Sequence, residues 1–193
     1  MTIFCLCVFA ESVTPDKLLK ATINGIEWTY VVLDETKKTC KIGGLNTEGP
    51  VQAIAPSVTG VVNVPDVIDG YTVVEIYEEA FYNTNATSII VPNTVTTIDE
   101  DAFKSPYLVT VELPASIVSV DKDAFEKCVA LTDVTIHATT PPNVRKRLFP
   151  LGDSSETPSK AKLHVPEGCK AAYAAATGWA DFSLCGGRML LLP

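Results

Sequence analysis

One stretch of the chain is spelled twice. VPNTVTTIDEDAF, from Val91 to Phe103, returns as LPASIVSVDKDAF, from Leu113 to Phe125. Self-similarity at a fixed short period restricts a chain to stacked units, because each unit is too small to bury its own apolar face. Aligned on proline, the apolar residues after Pro92 fall at Val95, Ile98, Ala102, Phe103, Leu108, Val111 and Leu113. After Pro114 they fall at Ile117, Val120, Ala124, Phe125, Leu131, Val134 and Ile136. An earlier copy starts at Pro65, carries an insertion around DGYTV, and resumes with Val73, Ile76, Ala80, Phe81, Ile89 and Val91. A degraded copy follows His137, which stands in the proline place, and has RLF (Arg147 to Phe149) in the Ala-Phe slot. The array closes at KLHVP, Lys162 to Pro166. The steps between these anchors are 27, 22 and 23 residues.

Each unit starts as a short alternating strand, VTVEL or DVTI, ended by a residue that cannot donate to a ladder. A second extended piece follows (TVTTI, SIVSV), then an acidic turn and a single helical turn holding Ala-Phe. Asp99, Asp101, Asp121 and Asp123 stand where a helix start takes a capping oxygen and a favourable charge. A calcium loop would need a glycine and a ligand periodicity that these slots lack, so no metal is expected.

The flanks read differently. Ile26–Leu33, the turn DETKK and Thr39–Ile42 form a β-hairpin, so residues 11–58 are expected to make an N-terminal β cap and residues 59–166 the repeat solenoid. Residues 167–193 are expected to be a C-terminal cap and tail, with a short alanine-rich helix in EGCKAAYAAATGWADF and no clear structure for CGGRMLLLP. Residues 1–10 resemble the apolar core and small-residue cleavage site of an export leader without its basic start. No segment is long enough to span a bilayer as a helix.

Composition removes other classes. A net charge of -8 argues against nucleic acid, whose phosphates require clustered lysine and arginine. The basic cluster Arg145 to Arg147 reads as a solvated loop beside Pro141-Pro142. The six cysteines, Cys5, Cys7, Cys40, Cys128, Cys169 and Cys185, include no C-x-x-C pair, so neither a zinc site nor an obligatory disulfide framework is expected. Cys128 falls where the repeat takes a small apolar residue. Of the two histidines, His137 occupies a proline slot and His164 alternates outward between Leu163 and Val165. Neither joins a G-x-S-x-G, an H-E-x-x-H or a phosphate loop, so no enzyme and no cofactor are expected.

The pattern V-P-x-x-V-x-x-I-x-x-x-A-F, with IHATTPP (Ile136 to Pro142) and the ending LHVPEGCKAAYAAATGWADF, resembles the BspA-like leucine-rich repeats. The resemblance covers about residues 60–182. It implies a β-rich α/β fold, a right-handed leucine-rich-repeat solenoid of short strands and single helical turns. It also implies a secreted or cell-surface location of the kind common in Bacteroidota, and for some members adhesion to matrix or host proteins. By strand alternation, Val61 and Asn63, Ser88 and Ile90, Thr110 and Glu112, Asp133 and Thr135, and Lys162 and His164 point outward. Asn63, Ser88, Ile90, Thr110, Glu112, Asp133, Thr135 and His164 form the candidate ligand face, for a protein or glycan partner of a monomer. The alternative is a passive spacer, or a piece of a longer array, with no ligand of its own.

Overall fold

The structure is a computed structural model that describes residues 15–145, 147–148 and 161–186. The leader-like segment, Lys146, Phe149 and the last residues of the tail lie outside them.

The first strands of the described residues form a three-stranded meander: β1 (Leu19–Ile23), β2 (Ile26–Asp34) and β3 (Thr39–Ile42). Asn24 and Gly25 join β1 to β2 with φ of 53° and 80°, the doubly left-handed turn that Asn-Gly supplies at little cost. A small hairpin follows, β4 (Gly44–Asn46) with β5 (Gly49–Val51). The coils then contribute β6 (Thr59–Asn63), β7 (Val67–Ile68), β8 (Tyr71–Ile76), β9 (Asn85–Ile90) and β10 (Thr97–Ile98). After these come β11 (Thr110–Leu113), β12 (Ser119–Val120), β13 (Asp133–Ile136), β14 (Asn143–Val144) and β15 (Lys162–Val165). Helix α1 (Lys170–Ala175), a 3₁₀ turn at Trp179–Asp181 and β16 (Ser183–Gly186) end the described chain.

These elements form a β-solenoid with two sheets. The first has the order β1-β2-β3-β8-β10-β12-β14, with β7 attached to β8, and the second the order β16-β15-β13-β11-β9-β6. Strands of successive coils pair in parallel. The insertion around DGYTV is a hairpin of its own: Asp69 and Gly70, at φ 49° and 82°, turn β7 back antiparallel onto β8. Residues 183–186, which include the first two of CGGRMLLLP, add β16 parallel to β15 and extend the second sheet by one strand.

The interior is built in columns. Phe81, Phe103 and Phe125 are fully buried and stack nearly parallel, with ring centroids 5.7 Å and 5.4 Å apart. A perpendicular ring meets each end: Trp28 lies 6.4 Å from Phe81, and Phe182 lies 6.0 Å from Phe125. Such edge contacts suit the aromatic quadrupole. The arcs beside the phenylalanines are bonded coil to coil as well, since Phe81 N–H donates to Ala102 O, Phe103 to Ala124 O and Phe125 to Leu148 O. Cys128 is buried in this core and its thiol donates to Phe103 O at 3.0 Å. Burial pushes it, like Cys40, up to about 12. At the far end Tyr173 OH donates to Ala138 O and Trp179 Nε1 to Pro142 O, both at 2.8 Å, which seals the last coil.

The segment bearing Ala-Phe is a run of tight hydrogen-bonded turns rather than a helical one. Glu79, Asp101 and Asp123, each just before its alanine, have φ of 54°, 56° and 54°. A left-handed residue there blocks an α-helical start, and this overturns the capping role expected for the aspartates. Asp101 and Asp123 instead hold Lys104 and Arg147.

Removing one ring breaks the column on both sides. Phe103→Ala is expected to cost about 3–5 kcal/mol in urea unfolding, with Phe103→Leu costing less. A synthetic peptide of residues 92–113 is expected to show no cooperative transition in water.

Candidate functional site

The register of the second sheet decides which outward side chains are neighbours. One row runs Val61, Ser88, Thr110, Asp133, Lys162, Ser183, and the next runs Asn63, Ile90, Glu112, Thr135, His164, Cys185. All eight candidate residues lie on these two rows. Seven of them, Ser88, Ile90, Thr110, Glu112, Asp133, Thr135 and His164, line one open groove of about 330 Å³. Asn63 is one coil outside it, on the edge strand β6.

Several polar groups in the groove are already paired. Thr110 Oγ1 donates to Ser88 Oγ at 2.8 Å. His164 Nε2 lies 2.7 Å from Asp133 Oδ1, and this bond holds the Asp133 carboxyl below its ordinary value. His137, the histidine of the proline slot, brings a second imidazole beside a carboxylate. It follows Thr135 by two residues, in the row otherwise held by Pro92, Pro114 and Pro166, and its Nε2 sits 2.8 Å from Glu112 Oε1. Because it is not a proline, its own N–H also donates to Leu113 O. The signal available in the sequence was a titratable residue in the proline slot.

A second groove, on the other sheet, escaped sequence reading. It measures about 310 Å³ and is lined by Thr97, Asp99, Ser119, Asp121, Asn143 and Arg145 among others. Here the repeat stacks carboxylates on one another. Burial, then repulsion from Glu75 and Asp121, pushes the Asp99 carboxyl up to about 7, and Asp99 and Glu75 share a hydrogen bond. At the open end Arg145 Nη1 reaches Asp121 at 3.1 Å. Arg147 likewise holds Asp123 through two bonds of 2.9 Å and 3.3 Å. Of the cluster Arg145 to Arg147, expected as a solvated loop, Arg145 is exposed, and the two described arginines also pair with acids of the preceding coil. At the other end of the row Lys41 is buried, 3.0 Å from Asp16 and 3.5 Å over the Tyr77 ring.

Among the described residues, no group of three or more histidine, cysteine or carboxylate side chains could hold a metal ion, and no helix is long and apolar enough to cross a membrane.

The family model described as the BspA type leucine-rich repeat region matches residues 74–151, in six copies. Among solved structures, the T. pallidum leucine-rich repeat protein is similar at 20% identity and TM-score 0.50, over 82% of this chain and 78% of that one. A leucine-rich cell surface protein from Faecalibacterium prausnitzii A2-165 aligns at 19% identity and TM-score 0.48, over 80% of this chain and 46% of that one. The pneumococcal vaccine antigen PcpA aligns at 16% identity and TM-score 0.39, over 79% and 51%. No curated protein sequence matches. Residues 74–151 thus match BspA-type leucine-rich repeats, and the chain is wound into a solenoid like that of a leucine-rich repeat protein.

The Asp99 environment has a pH signature. Its folded-state value stands above the ordinary 3.8, so folding is favoured by protonation, and the cost of ionising it builds up as pH rises from about 4 to about 7. Asp99→Asn is therefore expected to raise Tm at pH 8 and to leave it unchanged at pH 4, which thermal melts at the two pH values check.

Proposed function

We propose that this chain is a non-catalytic secreted or cell-surface binding module that takes a protein or glycan partner on the outward face of the second sheet. The observation that carries the reading is the convergence of seven chemically varied side chains on one groove. The fold asks nothing of these outward positions, so hydroxyls, acids, imidazoles and one isoleucine can be combined there to suit a partner. The extracellular location is supported by the BspA-type repeats, and binding by the groove. Glu112 and Asp133 remain partly open to solvent although each is paired, so a ligand could reach them without unfolding anything.

The test is a panel of purified matrix proteins and mucin glycans presented to the immobilised protein in surface plasmon resonance. A saturable partner is expected, and Ile90→Ala/Glu112→Ala/Thr135→Ala is expected to abolish its binding while shifting Tm by no more than about 2 °C, as outward substitutions do. Undiminished binding by the triple variant overturns the face. No saturable partner across the panel favours the spacer reading instead.

A further inference from the structure

We infer that the groove takes a basic, arginine- or lysine-bearing segment of a partner protein at neutral pH, and releases it when its two histidines gain protons. The inference rests on the outward face of the second sheet being the binding face.

The chain has two histidines, and both sit on this face with a carboxylate. The two pairs are built alike. His164 on β15 reaches back one coil and one row to Asp133 on β13, and His137 at the end of β13 reaches back in the same way to Glu112 on β11. The other groups bearing on the pairs are Lys162, the register partner of Asp133, and Cys185, the register partner of His164. Neutral imidazoles leave Glu112 and Asp133 with their negative charges, and a basic segment finds two acids in the groove. Imidazole gains its charge between about pH 5 and 8. Once both rings are cationic, each pair cancels internally, and an incoming cation meets a like charge beside each carboxylate.

Three further features favour a basic peptide over a sugar. The Thr110 hydroxyl already donates its hydrogen to Ser88 Oγ, so the pair has only the Ser88 hydrogen left to offer a sugar. None of the groove-lining residues is a phenylalanine, tyrosine or tryptophan, and the one ring in it, the His164 imidazole, is held edge-on by its bond to Asp133 through Nε2. Ile90 provides an apolar surface for the methylene stem of an arginine. Glu112 and Asp133 lie on adjacent coils and one row apart, a diagonal of about 7–8 Å. That is close to the repeat of alternate residues in an extended peptide, about 6.6–6.8 Å.

The probe is a dye-labelled (Gly-Arg)5 amide, with binding followed by fluorescence anisotropy at constant ionic strength. Its affinity for the full chain is expected to fall about ten-fold or more between about pH 7.5 and pH 5.5. Glu112→Gln/Asp133→Asn should weaken binding by a similar factor at the higher pH. Glu27→Gln/Glu48→Gln, the same charge change on exposed N-terminal positions, should have little effect. In His137→Asn/His164→Asn the ratio of affinities at the two pH values should fall close to one. Equal losses in the groove and control variants would show adhesion to the overall negative charge and overturn the inference. So would a pH response that survives in the histidine variant, or tighter binding at the lower pH. If the probe binds at neither pH while the triple variant above loses its own partner, the basic-segment inference fails and the binding face stands.

Discussion

Stacking at strand spacing is the constraint from which the rest of this molecule follows. A parallel sheet sets neighbouring strands about 4.8 Å apart, and the phenylalanine rings of three successive coils follow at 5.7 Å and 5.4 Å. That spacing allows parallel rings only if each coil returns its phenylalanine to the same place. A one-residue slip in a strand would turn its interior side chains outward. The extra residues of the first copy are tolerated for this reason: they leave the coil as the β7–β8 hairpin before Val73 and Ile76 resume the interior columns. The ends need different chemistry, because the last ring of a column has no next coil. Perpendicular Trp28 and Phe182 supply it.

The same repetition that stacks apolar groups also stacks charge. An acid favoured at one repeat position recurs above itself one coil on, where like carboxylates repel. Glu78, raised by burial and then by Glu100, and Asp99, raised by burial, by nearby Glu75 and then by Asp121 one coil on, show the consequence. The array contains its own relief. Lys122 replaces an acid and pairs with Glu100, Lys104 bridges Asp101 and Glu126, and Arg145 and Arg147 close the Asp121 and Asp123 columns. Variation between copies that looks like decay in a linear alignment is, at these slots, the substitution that keeps the stack from repelling itself.

Much of this was legible in the sequence for a simple reason: a period converts directly into a column. The proline alignment placed Phe81, Phe103 and Phe125 one above another, and strand alternation placed Ser88, Thr110 and Asp133 in one outward row. What escaped depends on contacts between copies or on local backbone conformation. The diagonal bonds of His137 and His164 need the inter-coil register and cannot be seen in one repeat. The left-handed conformation of Asp101 and Asp123 was hidden because an acid before Ala-Phe also fits a helix start. The Asn24-Gly25 turn, by contrast, was a readable hairpin signal, and overlooking it removed β1 from the expected cap. SLCG after the cap was overlooked because β16 depends on β15 for a partner rather than on a strong pattern of its own.

The inward and outward positions therefore carry different information. Inward slots hold alanine, phenylalanine or a branched aliphatic in coil after coil, since each must match its neighbours within fractions of an ångström. Outward slots change at every step: serine, threonine, aspartate and lysine in one row, and isoleucine, glutamate, threonine and histidine in the next. His137 shows how little the fold resists such change. It takes a slot where the neighbouring coils have proline, adds the N–H bond to Leu113 that proline cannot make, and brings an imidazole beside Glu112. A solenoid that tolerates substitution at its strand-ending position can acquire a titratable group on its outward face without disturbing a single interior column.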